Sequence, residues 1–200
     1  MTPPQIHRLS LGSEADTLGI EAYYRAIDDD SGTTRHIREQ AAVAHLVRHL
    51  FGPDATVAHR PDGSPAITAP SSAISRPTIS ISHSRLYAAL ALCRSGAPIG
   101  IDIEEWRTQL VRVAPRVLSP AETAVYATSP EMLLKAWTLK EALYKCALTP
   151  GLDFRTMITL PTDGKPTASA GALNARILFS GPVPGGSYIS LVAGDFAGHS

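Results

Sequence analysis

Two carboxylates stand two residues apart in Ile99-Gly100-Ile101-Asp102-Ile103-Glu104. Alternate residues of a strand share a face, so Asp102 and Glu104 project together while Ile101 and Ile103 enter a core. Two acids on one face repel unless a cation lies between them. Hard oxygen donors of this kind suit magnesium, which takes one or two carboxylates together with phosphate oxygens and water. Gly100 admits a close approach to the backbone. Taken alone, the strand also reads as a sheet edge with two solvated acids.

A second group lies in Trp137-Thr138-Leu139-Lys140-Glu141-Ala142-Leu143-Tyr144-Lys145. On a helix Trp137, Glu141 and Lys145 fall near one stripe, with Lys140 beside it. The stripe offers an aromatic anchor, a carboxylate able to act as third metal ligand or general base, and two ammonium groups able to neutralise phosphate. The plain alternative is a Glu141–Lys145 surface pair worth about 0.3–0.5 kcal/mol. A third group, Ile79-Ser80-Ile81-Ser82-His83-Ser84-Arg85, ends a strand with hydroxyls, an imidazole and a guanidinium. Such an end can hold phosphate, or it is a polar turn with a satisfied histidine.

These groups must be positioned by the elements around them. Residues 12–26 read as a helix capped by Ser13, with Glu14 and Asp16 at its positive end. Residues 28–34 read as a loop. Residues 35–50 carry apolar side chains at Ile37, Ala41, Ala44, Leu46, Val47 and Leu50, a helical spacing that Gly52-Pro53 ends. A short strand is expected at 56–59, a turn at Pro61-Asp62-Gly63, and an irregular connection over 64–76. Strands follow at 78–82, 87–93 and 99–103. Ser119-Pro120-Ala121-Glu122 forms a capping box, and Ser129-Pro130-Glu131 opens a helix running to about residue 148. Further strands are expected at 158–160, 175–179 and 188–193. The order predicts an α+β protein of two similar lobes, residues 1–98 and 99–200.

Composition narrows the function. The formal net charge is +0, which leaves no overall basic field for nucleic acid or an anionic membrane. An anion must then be held locally, and three of the four lysines, Lys135, Lys140 and Lys145, fall in one stretch. The two cysteines, Cys93 and Cys146, are too few for a disulfide framework and read as buried thiols. The start of the chain shows no secretory h-region, and its longest apolar run, residues 86–93, is too short to span a bilayer. A cytoplasmic setting is expected.

Taken in order, the Ser-His-Ser turn, Gly-Ile-Asp-Ile-Glu, and Trp-Thr-Leu-Lys-Glu-Ala-Leu-Tyr-Lys resemble the signature of the 4′-phosphopantetheinyl transferase superfamily. Asp62-Gly63-Ser64-Pro65 looks like that family's Gly-Lys/Arg-Pro turn. Val117-Leu118-Ser119-Pro120-Ala121-Glu122 looks like its Phe-Leu-Ser-x-x-Glu element, and Gly151-Leu152-Asp153-Phe154 like a segment following its last lysine. The resemblance covers about residues 35–160. The chain departs from the pattern at Ser64, where a basic residue is usual, at Ala44, where many relatives carry Arg, and at Leu148-Thr149-Pro150, where Gly and basic residues are usual. Each departure removes a cation or flexibility.

The resemblance implies two α+β lobes related by a pseudo-twofold axis, with coenzyme A in the cleft between them. It implies a monomer of the two-lobed, surfactin-synthetase-activating type. Such an enzyme moves phosphopantetheine from coenzyme A to a serine of an apo acyl or peptidyl carrier protein and releases 3′,5′-adenosine diphosphate. Asp102, Glu104 and Glu141 would hold magnesium or manganese, and Glu141 would take the serine proton. Lys145 and His83, with Ser82, would contact the diphosphate, and Lys140 would support developing charge. Arg35 or Arg38 would grip the 3′-phosphate, and residues 106–118 would receive the carrier. The alternative within the family is a degenerate member that binds a carrier protein or nucleotide without transfer. A generic magnesium-dependent hydrolase would want a Gly-rich phosphate loop, which the sequence lacks.

Overall fold

The computed structural model describes residues 4–29, 32–69 and 77–194. It is a mixed α+β structure. The first part of the chain contributes β1 (Ile6–Arg8), α1 (Ser13–Thr17), β2 (Ile20–Ala26), α2 (Arg35–Phe51), β3 (Thr56–His59), β4 (Pro65–Thr68), β5 (Thr78–His83) and β6 (Tyr87–Cys93). The second contributes β7 (Ile99–Glu105), α3 (Gln109–Val117), α4 (Pro120–Tyr126), α5 (Pro130–Ala147), β8 (Ile158–Thr159), β9 (Thr167–Ala170), β10 (Leu173–Val183) and β11 (Ser187–Gly194). One sheet has the order β1-β2-β6-β5, another β7-β11-β10-β9-β8, and β3-β4 form a separate hairpin. Every strand pairing is antiparallel.

The helix expected over residues 12–26 is a single short helix followed by a strand. Gly12, not Ser13, is its N-cap. Gly19 takes φ +63, a turn only glycine makes freely, and breaks the run. Beyond it Ile20, Ala22 and Tyr24 face the core between the sheets while Tyr23 faces α2. Glu21, Tyr23 and Arg25 alternate with them on the other face, so the strand pattern is present and the helix reading overran it by passing the Gly19 break. Helix α3 carries no side-chain cap and has Pro115 inside it, so its start and interior signals are both missing. Strands β1, β4 and β9 are short and were likewise not expected. Part of the stretch expected to be irregular, residues 70–76, lies outside the described residues.

The other elements follow their local chemistry. Thr34 caps α2 through the Ile37 N–H, and Gly52 at φ 101 ends it. Its buried stripe is Ala42, Leu46 and Val47, with Ile37 exposed. The capping box of Ser119 and Glu122 is complete, and Ser129 caps α5 through the Met132 N–H. Helix α2 packs on the first sheet, α5 on the second, and a third apolar layer joins the two sheets.

Strand β7 is the hinge of this arrangement. Ile101 and Ile103 point into the layer between the sheets. On the opposite face Gly100 meets α5 so closely that a Cβ there would lie 1.9 Å from the Ala142 carbonyl oxygen. The free edge of β7 is satisfied by side chains across the junction: the Ile101 N–H donates to Ser80 Oγ (3.1 Å) and the Ile103 N–H to Ser82 Oγ (3.3 Å). The alternating serines of β5 thus stand in for strand carbonyls.

Gly100→Ala is therefore expected to destabilise the protein by about 3 kcal/mol or more, because helix backbone cannot move aside as a side chain could. Chemical denaturation checks this; a variant with an unchanged midpoint would show that α5 does not press on β7.

Candidate functional site

Strand β7 and helix α5 bring the sequence-predicted acids to one place. Asp102 is buried; its Oδ1 accepts from Ser82 Oγ at 2.8 Å and from Lys145 Nζ at 2.8 Å. Lys145 also donates to the Ile101 carbonyl at 3.2 Å. Asp102 Oδ2 is buried with no hydrogen-bond partner. An unpartnered carboxylate oxygen is costly in the interior and marks a place where a further cation belongs.

Two more carboxylates sense that charge. Burial pushes Glu104 up to about 7, with the Asp102 charge adding to it and Arg107 opposing. Burial also pushes Glu141 up to about 7, again with Asp102 adding and Lys145 opposing. Glu104 accepts from Arg107 at 2.8 Å. Three mutually repelling carboxylates with one half-exposed lysine among them form an acid-rich site short of positive charge. Among the described residues no three acids, histidines or cysteines already stand together at metal-holding separation. The donors nonetheless fit a magnesium ion in kind: all are carboxylate oxygens, and one is orphaned.

Lys145 lines a cavity of about 800 Å³. Its walls come from α2, the β3–β4 hairpin, β5, Ile99 at the start of β7 and the C-terminal end of α5. His83 also lines it, with Nδ1 3.6 Å from Glu39 Oε2. So do Leu148, Thr149 and Pro150. Leu148 holds the left-handed conformation (φ 49) that a glycine would adopt more cheaply.

Five expected site residues are placed otherwise. Lys140 is fully buried, and its Nζ donates to Glu122 Oε2 (2.8 Å), the Phe154 carbonyl (2.6 Å) and the Ile158 carbonyl (2.7 Å). With its three donors engaged, Lys140 is an internal tie between α5, α4 and the start of the second sheet, not a group facing a ligand. Ser82 is buried and engaged by Asp102 and the Ile103 N–H, so it orients the acid instead of facing phosphate. Arg35 and Arg38 do not line the cavity; they are tied to Glu39 (2.5 Å) and Asp29 (2.9 Å). Trp137 stacks on Phe154 at 6.1 Å and belongs to the packing of α5.

Sequence reasoning missed the cavity's other cations. Arg48 and Arg60 both line it. Their only signal was position, Arg48 one helical turn beyond Ala44 and Arg60 just before the Asp62-Gly63 turn. Both thiols are buried as expected, and burial pushes Cys146 up to about 12. Among the described residues no helix is long and apolar enough to cross a membrane.

Residues 98–183 match the family model of the 4′-phosphopantetheinyl transferase superfamily. The matched stretch opens just before β7, ends with β10, and includes Asp102, Glu104, Glu141 and Lys145. No curated protein matches the chain.

Proposed function

We propose that this chain, whose residues 98–183 match the 4′-phosphopantetheinyl transferase superfamily model, belongs to that superfamily and transfers phosphopantetheine from coenzyme A to a serine of an apo acyl or peptidyl carrier protein. The observation that carries this reading is the Asp102–Lys145 pair. It joins β7 to α5 at the wall of a cavity of coenzyme-A-compatible size, while Asp102 keeps a buried oxygen without a partner.

Asp102, Glu104 and Glu141 would hold magnesium or manganese. When bound, the ion supplies positive charge against the diphosphate of coenzyme A. The chain's own groups do the rest. Lys145, held beside Asp102, would neutralise phosphate charge, and His83 at the end of β5 lines the same cavity and would contact the same anion. Ser82 fixes Asp102 by hydrogen bond and so limits its rotamers. The serine oxygen of the carrier forms a bond to the β-phosphorus as the bond to the leaving 3′,5′-adenosine diphosphate breaks. The serine proton passes to a Glu141 carboxylate oxygen. Such a reaction needs alignment and charge more than covalent help.

The chain is read as two lobes, residues 1–98 and 99–200, acting as a monomer in the cytoplasm with the cleft between the lobes. The carrier is assigned to the face formed by residues 106–118. The test is incubation with coenzyme A, magnesium and a panel of apo carriers, followed by mass spectrometry. A carrier heavier by one phosphopantetheine is expected. Binding with no mass gain on any carrier would favour a non-catalytic family member, and nucleotide release without carrier modification would make it a hydrolase.

A further inference from the structure

Strand β5 and the turn after it carry serine at every second position, and each serine meets β7. Ser80 Oγ accepts the Ile101 N–H, Ser82 Oγ accepts the Ile103 N–H, and Ser84 Oγ donates to Glu105 Oε1. The partners rise together along both strands, so β5 lies beside β7 in the parallel sense, joined through hydroxyls and not through a backbone ladder. Glu105 closes the row. It follows Glu104 and therefore points to the opposite side of β7, away from Asp102 and Glu104.

The donors to Glu105 are neutral. Besides Ser84, its Oε1 accepts from the Leu86 N–H (3.0 Å) and Ser187 Oγ (3.4 Å), and its Oε2 accepts from the Arg85 N–H (3.2 Å). Ser84 Oγ in turn accepts the Leu86 N–H (3.3 Å) and the Tyr87 N–H (3.2 Å). Among the described residues no Lys, Arg or His stands at ion-pair distance from Glu105. A half-buried carboxylate that meets no cation but gathers two backbone N–H groups and two hydroxyls acts as a fixed set of acceptors. It fastens the β5–β6 turn to β7 and, through Ser187, to β11.

The other face of β5 carries Ile79, Ile81 and His83. The two isoleucines pack in the layer under α2, and His83, the last residue of the strand, reaches the cavity wall. Lys145 and Asp102 belong to α5 and β7, so their separation from His83 is set across the β5–β7 junction. Asp102 has ties of its own to Ser82 and Lys145. His83 has only a 3.6 Å contact with Glu39, so its place depends on the strand end that Glu105 pins. Glu105 itself does not line the cavity. On the coenzyme A reading above, we propose that Glu105 is a positioning residue: it holds the β5–β6 turn on β7 and so sets His83 at the distance from Lys145 that an anion in the cavity requires.

The test is a double-mutant cycle on coenzyme A affinity in magnesium buffer, over wild type, Glu105→Ala, His83→Ala and the pair, with thermal midpoints recorded. Glu105→Ala is expected to weaken coenzyme A by about fivefold and His83→Ala by about tenfold. The pair is expected to bind no more than about twofold worse than His83→Ala alone, because the carboxylate acts through the imidazole. A Glu105 that serves stability alone would instead give losses that multiply. Glu105→Gln keeps the acceptor for Ser84, Leu86 and Ser187 and gives up only the Arg85 N–H, so it should recover most of the affinity. Ser84→Ala removes one of the donors; it runs through the same cycle and decides the matter if Glu105→Ala does not fold. Unchanged affinity in the folded variant, or multiplying losses in the pair, overturns the proposal while the coenzyme A reading stands. A wild type that binds no coenzyme A overturns both.

Discussion

Asp102→Asn is expected to cut phosphopantetheine transfer by about a thousandfold, about 4 kcal/mol of transition-state stabilisation, while the thermal midpoint stays the same or rises. The two halves of this expectation share one cause. The Asp102 carboxylate is buried, one of its oxygens has no partner, and its charge raises the proton affinity of both Glu104 and Glu141. A buried, incompletely paired charge costs stability and is retained where function needs it. Asn keeps the shape and an oxygen able to accept from Ser82. It removes the negative charge that would hold a cation. Lys145 loses its anion but is partly exposed and can turn toward water. Glu104→Gln should be milder, since Glu104 already answers to Arg107 and lies nearer solvent. Turnover and calorimetry on the same preparations decide the matter. Near-native turnover in Asp102→Asn, or an equal loss in Glu104→Gln, would show that Asp102 is not the central ligand.

Lys140→Met is expected to do the reverse, lowering stability by about 3–5 kcal/mol with little effect on turnover per folded molecule. Removing one member of a buried ion pair leaves the other uncompensated. Here Glu122 would keep only the Ser119 and Leu160 N–H groups, and the Phe154 and Ile158 carbonyls would lose their donor. For a chain of this size the loss corresponds to a fall of about 6–20 °C in thermal midpoint. The double change Lys140→Met with Glu122→Leu should recover only part of it, because the four backbone groups remain unpaired. Assays well below the midpoint separate the roles. A variant that keeps its midpoint but loses turnover would return Lys140 to the reacting centre.

The sequence alone determined the acids and the elements that carry them. Asp102 and Glu104 share a strand face because alternation along β7 is strict, and Glu141 and Lys145 share a helix face because they lie four apart between a good cap at Ser129 and the end of α5. Local chemistry also gave α2, α4, β5, β6 and the turn at Asp62-Gly63, each from caps, alternation or positive-φ glycine. Where local signals were absent or overrun, the reading failed. The helix reading ran past the Gly19 break into the strand β2, and α3 has neither cap nor clean interior.

Only the tertiary structure decided which charged groups are free. Sequence spacing places Lys140 beside Glu141 on the helix wheel, yet α4 and the segment after Phe154 close over it and engage all its donors. Arg35 and Arg38 look like anion ligands until Glu39 and Asp29 are seen beside them, while Arg48 and Arg60 look ordinary until the cavity wall includes them. The physical reason is that a charge is available for chemistry only if no nearer partner satisfies it. Partners contributed by distant segments are set by packing, which pairwise spacing along the chain does not encode.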